Sequence, residues 1–227
     1  MTALTVHHLA HSRSQRVLWL LEELDADYRI QCYERDPATG RAPAALRAVH
    51  PLGRSPVITD GERVVAESGA IIEYLLDGHD PDHRFRPAPG TEAFLDYRYW
   101  LHYAEGSAMP PLLLSLVFDR LGGPAAPWLM RPLLRRIAAG VQSAFVGPEV
   151  RAHLDYLEDV LQRRTWFAGE AFTAADIQMS FPVEAAVARG LAGPERPRLN
   201  AFVERIRGRA AYQRARERGG PYDLAAL

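Results

Sequence analysis

The chain has 227 residues, 27 basic and 28 acidic side chains for a net charge of −1, 48% hydrophobic residues and a single cysteine. Those figures exclude a disordered chain and a disulfide scaffold, and they give no global electrostatic case for nucleic acid. The length suffices for one large core or two smaller ones at roughly 100–150 residues each.

Met1 to His8 has neither the basic nor the apolar region of a secretory signal. The longest apolar stretch, Pro110 to Phe118 broken by Ser115, falls far short of the roughly 20 residues that span a bilayer. The expectation is a protein of the reduced cytoplasm with no membrane partner, in which Cys32 is a small buried apolar residue.

Leu4 to Leu9 predicts a short strand, and Ser14 to Leu24 a helix with Val17, Leu18, Leu20, Leu21 and Leu24 at helical spacing. Tyr28 to Tyr33 alternates as a second strand with Tyr28, Ile30 and Cys32 on one side. Ala42 to Val49 reads as a short helix. Val57 to Thr59 and Val64 to Ala66 follow as a hairpin turning at Asp60-Gly61. Glu67-Ser68-Gly69 opens a third helix, for which Gly78 offers a left-handed stop.

The order β-α-β-α-β-β-α, with a proline just before the third strand, predicts a thioredoxin-like α/β domain over residues 1–80. Pro81, Pro87 and Pro89 mark residues 81–90 as a linker. Residues 91–227 show helical patterns alone, at Glu92–Met109, Pro111–Arg120, Arg131–Phe145, Pro148–Arg163, Ala174–Ala188 and Leu199–Arg207, and predict an all-helical second domain. All basic residues are arginine, a coding bias, and the arginine-rich stretch from Arg196 to Arg218 has only Phe202 and Tyr212 as aromatics, too few to interleave with its arginines. It reads as a solvated helical surface and not as a nucleic-acid site.

Four positions of the first domain converge on one groove. Ser12 stands at the mouth of the first helix, where unpaired N–H groups and the helix dipole favour an anion and a hydroxyl can donate to a thiolate; the plainer alternative is that Ser12 or Ser14 caps the helix. A cis Ser55-Pro56 bond would turn the Ser55 backbone toward an extended peptide, whereas a trans proline would only open an edge strand. Glu67 and Ser68 suit an ammonium and a carboxylate, or else simply cap the third helix. His50 and Arg54 can take a second carboxylate. An ammonium, two carboxylates, a peptide backbone and a thiolate together describe glutathione.

The residues that make this groove also carry a family resemblance. His7-His8-Leu9 with His11-Ser12 and Arg16 to Leu24, His50-Pro-Leu-Gly-Arg-Ser-Pro-Val57, Ala66-Glu-Ser-Gly-Ala70, Tyr103-Ala-Glu-Gly-Ser107 with Pro110-Pro111, and Phe172 to Pro182 resemble the glutathione S-transferases. Within them the chain is most similar to the serine-type branch of fungal membrane-associated transferases and their bacterial relatives. The resemblance implies that Ser12 contacts the sulfur, with Ser14 the alternative, that Pro56 is the cis-proline, and that Glu67 and Ser68 clamp the γ-glutamyl group. It further implies that Thr173 to Asp176 is a capping box for folding, that Glu105 reaches a partner's glutathione across a homodimer, and that glutathione serves as cosubstrate with no metal.

Tyr103, Met109, Pro110 and Leu113 are the expected apolar wall for a small hydrophobic electrophile, although such residues on a helix also serve as core. The expected activity is conjugation. Peroxide reduction in the same site, or a non-enzymatic glutathione-binding role, are the alternatives.

Overall fold

The computed structural model describes residues 4–36 and 39–225. Met1 to Ala3, part of the N-terminal stretch considered above for a secretory signal, lie outside the described residues.

β1 (Thr5–Leu9), α1 (Ser14–Glu23), β2 (Arg29–Tyr33), α2 (Ala45–Val49), β3 (Val57–Asp60), β4 (Arg63–Ala66) and α3 (Ser68–His79) follow the predicted order. They build a four-stranded sheet of order β2-β1-β3-β4, in which β1 and β2 run parallel and the other neighbours antiparallel. The thioredoxin-like reading holds. Opposite residues in the β1–β2 register include Val6 with Ile30 and His8 with Cys32, so the predicted face of β2 is continuous with the buried face of β1. Cys32 is nevertheless exposed, because β2 is an edge strand. The β3–β4 turn falls at Gly61-Glu62, one residue later than expected, with Gly61 at φ +61°.

Gly78 does not stop α3, which runs on to His79. The buried carboxylate of Asp80 ends it by accepting the backbone N–H groups of Arg84 and Phe85, both at 3.0 Å. The Phe85 carbonyl then receives the N–H of Ala174, which ties the connecting segment to the helices beyond.

Those helices are α4 (Glu92–Tyr103), α5 (Met109–Arg120), α6 (Arg131–Val141), α7 (Gly147–Arg163), α8 (Ala174–Ala188), α9 (Pro197–Arg207) and α10 (Ala210–Gly219). A π turn at Ala104–Ala108 joins α4 to α5, and a second at Gln142–Val146 joins α6 to α7. Two predicted breaks are therefore continuations in which one wider turn changes the phase of the buried stripe. α8 is buried along nearly its whole length, and its Thr173–Asp176 capping box is present.

The arginine-rich stretch is more than a solvated surface: Arg205, Arg207, Arg214 and Arg218 are exposed, yet several of its arginines are paired. Arg209 bonds both carboxylate oxygens of Glu23 at 2.6 and 2.9 Å, and Arg214 and Arg218 reach Glu22 at 2.8 and 2.7 Å. These pairs dock α10 on α1. Contact is so close that a Cβ at Gly219 would stand 2.7 Å from Gln15 Oε1 and 2.8 Å from Leu18 Cδ1. Periodicity alone left the charged side of α1 without a partner and α10 unpredicted.

Candidate active site

The turn between β1 and α1 positions two serines differently. His11 takes φ +53° and swings the chain out of the strand, after which Ser12 is 6% exposed and Ser14 fully buried. The two hydroxyl oxygens lie 2.8 Å apart, and Ser12 Oγ also accepts the Ser14 N–H at 3.2 Å. Ser14 Oγ lies 2.8 Å from His8 Nδ1 and accepts the Leu9 N–H at 3.3 Å. Burial pushes the His8 pKa down, which leaves its imidazole uncharged at neutral pH. Ser12 lines the cavity in front of this turn and Ser14 stands behind it, so Ser12 is the hydroxyl a ligand meets.

That cavity, about 620 Å³, is bounded by Leu9, Ser12, Arg35, Arg47 and Ser55 among others. It shares Arg13, Leu52, Arg54, Ser55 and Leu113 with a smaller one of about 210 Å³. The smaller cavity brings together His50, Arg54, Ser55, Pro56, Glu67, Ser68 and Glu105. The Ser55-Pro56 bond is cis, and Ser55 Oγ donates to the His7 carbonyl at 2.8 Å, fixing the loop to β1. Glu67 holds φ +71° at the entrance to α3, a left-handed conformation that costs a non-glycine residue about 1–3 kcal/mol and is found mainly at functional sites.

Behind the groove, Arg16 connects four elements. Pro182 lies inside α8 and has no N–H, so the carbonyl of Gln178 four residues earlier lacks its helical donor. Arg16 Nη1 supplies one at 2.6 Å, while its Nη2 donates to Ser68 Oγ at 3.0 Å and to Glu105 Oε1 at 2.5 Å. Because Ser68 Oγ accepts from a guanidinium, its own proton is left to donate into the cavity. Glu105 also receives Arg13 Nε at 3.0 Å. Burial alone would raise the Glu105 carboxyl, but Arg16 and Arg13 hold it below the ordinary glutamate value and hence ionised. Glu105 is thus paired with arginines of its own chain and lines the smaller cavity of its own groove.

The expected electrophile wall divides. Met109 and Leu113 line a cavity of about 390 Å³ adjoining Ser12, together with Leu112, Leu116 and Phe181. Tyr103 instead sits in an aromatic cluster with Tyr99, Trp100 and Tyr156 and bonds His153, and Pro110 is exposed. The π turn at Ala104–Ala108 lies between Tyr103 and Met109 and shifts the phase between the two helices. Sequence reasoning missed Arg13, Arg35 and Phe181. Only the adjacency of Arg13 to Ser12 could have signalled the first, and the others arrive from distant segments. Among the described residues no group of His, Cys, Asp and Glu is placed to hold a metal ion, and no helix is long and apolar enough to cross a membrane.

Comparison with known proteins agrees with this geometry. Residues 12–77 match the family model "Glutathione S-transferase, N-terminal domain" and residues 142–210 match "Glutathione S-transferase, C-terminal domain". The chain is 40% identical to glutathione S-transferase 3 of Schizosaccharomyces pombe over 81% of this chain and 74% of that protein. It is 34% identical to glutathione S-transferase 1 of Saccharomyces cerevisiae over 94% of each. A crystal structure of a glutathione S-transferase from Actinobacillus pleuropneumoniae superposes with a TM-score of 0.83 at 35% identity, covering 99% of this chain and 96% of that one. With both halves matched, relatives similar along nearly the whole length and a groove of this composition, the chain belongs to the glutathione S-transferase family and is a glutathione transferase.

Proposed function

We propose that the groove binds glutathione extended along β3, holds its sulfur as a thiolate against Ser12 and adds that sulfur to small apolar electrophiles. Glu67 and the Ser68 hydroxyl meet the γ-glutamyl ammonium and carboxylate, and the Ser55 backbone beside the cis-proline pairs with the peptide. His50 and Arg54 take the glycyl carboxylate, and Met109 and Leu113 contact the electrophile. The bound thiol loses its proton to solvent. Its sulfur then forms a bond to the electrophilic carbon, and the leaving group departs with the electron pair of the broken bond.

The observation that carries this reading is the position of Ser12, open to the cavity at the N-terminus of α1 with Ser14 donating its N–H from behind. Helix-terminal N–H groups and a hydroxyl donor both favour an anion there. A thiol pKa lowered by about two units from its reference near 8.5 corresponds to roughly 2.7 kcal/mol of preferential thiolate binding.

The test is a pH titration of thiolate absorbance for glutathione bound to the wild-type protein and to Ser12→Ala. The wild type should show thiolate well below the free-thiol range. Ser12→Ala should return the midpoint toward that range and lower kcat/KM by about 100-fold. An unshifted thiol in the wild type, or full activity in Ser12→Ala, overturns the assignment.

A further inference from the structure

The cavity beside Ser12 has apolar walls and a cationic rim. Met109, Leu112, Leu116 and Phe181 supply the walls, while Arg13, Arg35, Arg120 and Arg189 stand around them, and among the described residues no acidic side chain lines the space. Two of the four are matched: Arg13 by Glu105 at 3.0 Å and Arg189 by Asp119 at 2.7 Å. The other two have no carboxylate partner among the described residues. Arg35 donates to the carbonyls of His11 at 3.0 Å and Gly40 at 3.1 Å, and its buried Nε has no acceptor. The Arg120 guanidinium forms neither a hydrogen bond nor an ion pair among the described residues, and its charge acts unfavourably on that of Arg35.

Two guanidinium groups that repel one another, one partly desolvated, form an incomplete electrostatic arrangement in a wall made for an apolar body. An anion between them completes it, and a planar carboxylate matches guanidinium geometry best. The cavity shares Arg13, Arg35, Leu113 and Phe181 with the space in front of Ser12, so a molecule seated there has its body next to the sulfur.

We propose that among electrophiles of apolar body this site favours those that carry an anion: a flat body packs against Met109, Leu112 and Phe181, with a carboxylate held between Arg35 and Arg120. This inference rests on the reading of Ser12 as the sulfur contact. The arginines also remove an obstacle, because a thiolate and a carboxylate-bearing electrophile repel each other in water and a cationic rim offsets that repulsion. In the reaction the carboxylate is a spectator. With an aryl chloride, the sulfur–carbon bond forms at the ring carbon that bears chlorine, and chloride leaves with the electron pair.

A matched pair of substrates tests it: 4-chloro-3,5-dinitrobenzoate and its uncharged methyl ester, each measured with glutathione and corrected for the uncatalysed rate. The wild type should favour the acid by about tenfold or more in kcat/KM, the size of one well-placed ionic contact. Arg120→Glu should cut that ratio at least tenfold through the KM for the acid, and Arg120→Gln by a smaller factor. The KM for glutathione should stay within about twofold, since Arg120 lines neither part of the glutathione groove.

Equal use of acid and ester by the wild type, or a ratio that neither variant moves, overturns the proposal and leaves the transferase reading standing. A raised KM for glutathione in Arg120→Glu overturns it too, because the arginine would then serve the peptide's own carboxylate. If neither substrate is conjugated and glutathione does not bind, the underlying reading of the groove fails first.

Discussion

A serine hydroxyl has one proton, so Ser12 can stabilise a sulfur anion only if its other hydrogen bonds come from donors. The Ser14 N–H meets that condition, and the Ser14 hydroxyl meets it whenever its proton points toward Ser12. His8 and Leu9 in turn hold Ser14 from behind. Ser14→Ala removes the hydroxyl from this chain. We expect the midpoint for thiolate formation in bound glutathione to rise by about one unit, and kcat/KM at neutral pH to fall about tenfold, while glutathione affinity changes little. Thiolate absorbance and equilibrium binding measured on one preparation separate the two effects, and a midpoint equal to wild type would show that Ser14 only supports the fold. Composition could not rank the two serines, because both occupy the helix mouth, and only the family resemblance put Ser12 first. Burial ranks them.

Elements in this protein meet through buried polar groups whose partners are far away in sequence. Asp176 accepts N–H groups from Phe167 and Thr173 at 2.8 Å, one on each carboxylate oxygen. Burial pushes its carboxyl up to about 7, against the pull of these donors. Because both oxygens accept, Asp176→Asn must turn an NH₂ toward an N–H donor. The expected cost is about 2–3 kcal/mol, a fall in Tm of about 5–10 °C, with the thiolate midpoint unchanged in protein that remains folded. Calorimetry reads the first and absorbance the second. The capping box was legible because its residues are adjacent. The Arg16 to Gln178 bond was not, although the proline that makes it necessary is visible at position 182.

At the scale of the whole molecule, α10 closes the helical part back onto the sheet domain through Glu22 and Glu23 of α1. Burial alone would raise the Glu22 carboxyl, but hydrogen bonds from Tyr28, Arg214 and Arg218 outweigh it and hold the pKa below the ordinary value. A carboxylate whose pKa is depressed on folding contributes stability that is complete above its unfolded value, about 4.5, and is lost as pH falls through the folded one. Wild-type Tm should therefore drop more steeply than that of Glu22→Gln as the pH is lowered below about 4.5. Taking the difference between the two proteins cancels the opposite trend from Asp176 and Glu184, whose burial holds their carboxyls up. Parallel curves would show that the clamp contributes nothing ionic.

By itself the sequence determined the order of the elements, the thioredoxin-like sheet with helices beyond it, and the set of polar residues that face one groove, because all of these follow from short-range spacing and turn chemistry. Only the tertiary structure decided which serine is presented, that Glu105 is held by arginines of its own chain, that the arginine-rich end is a clamp, and that Arg35 and Arg120 rim the second cavity. Each of those depends on residues from separate segments meeting at hydrogen-bond distance. Such a meeting is fixed by the phase of π turns and by helix packing, neither of which leaves a local pattern in the chain.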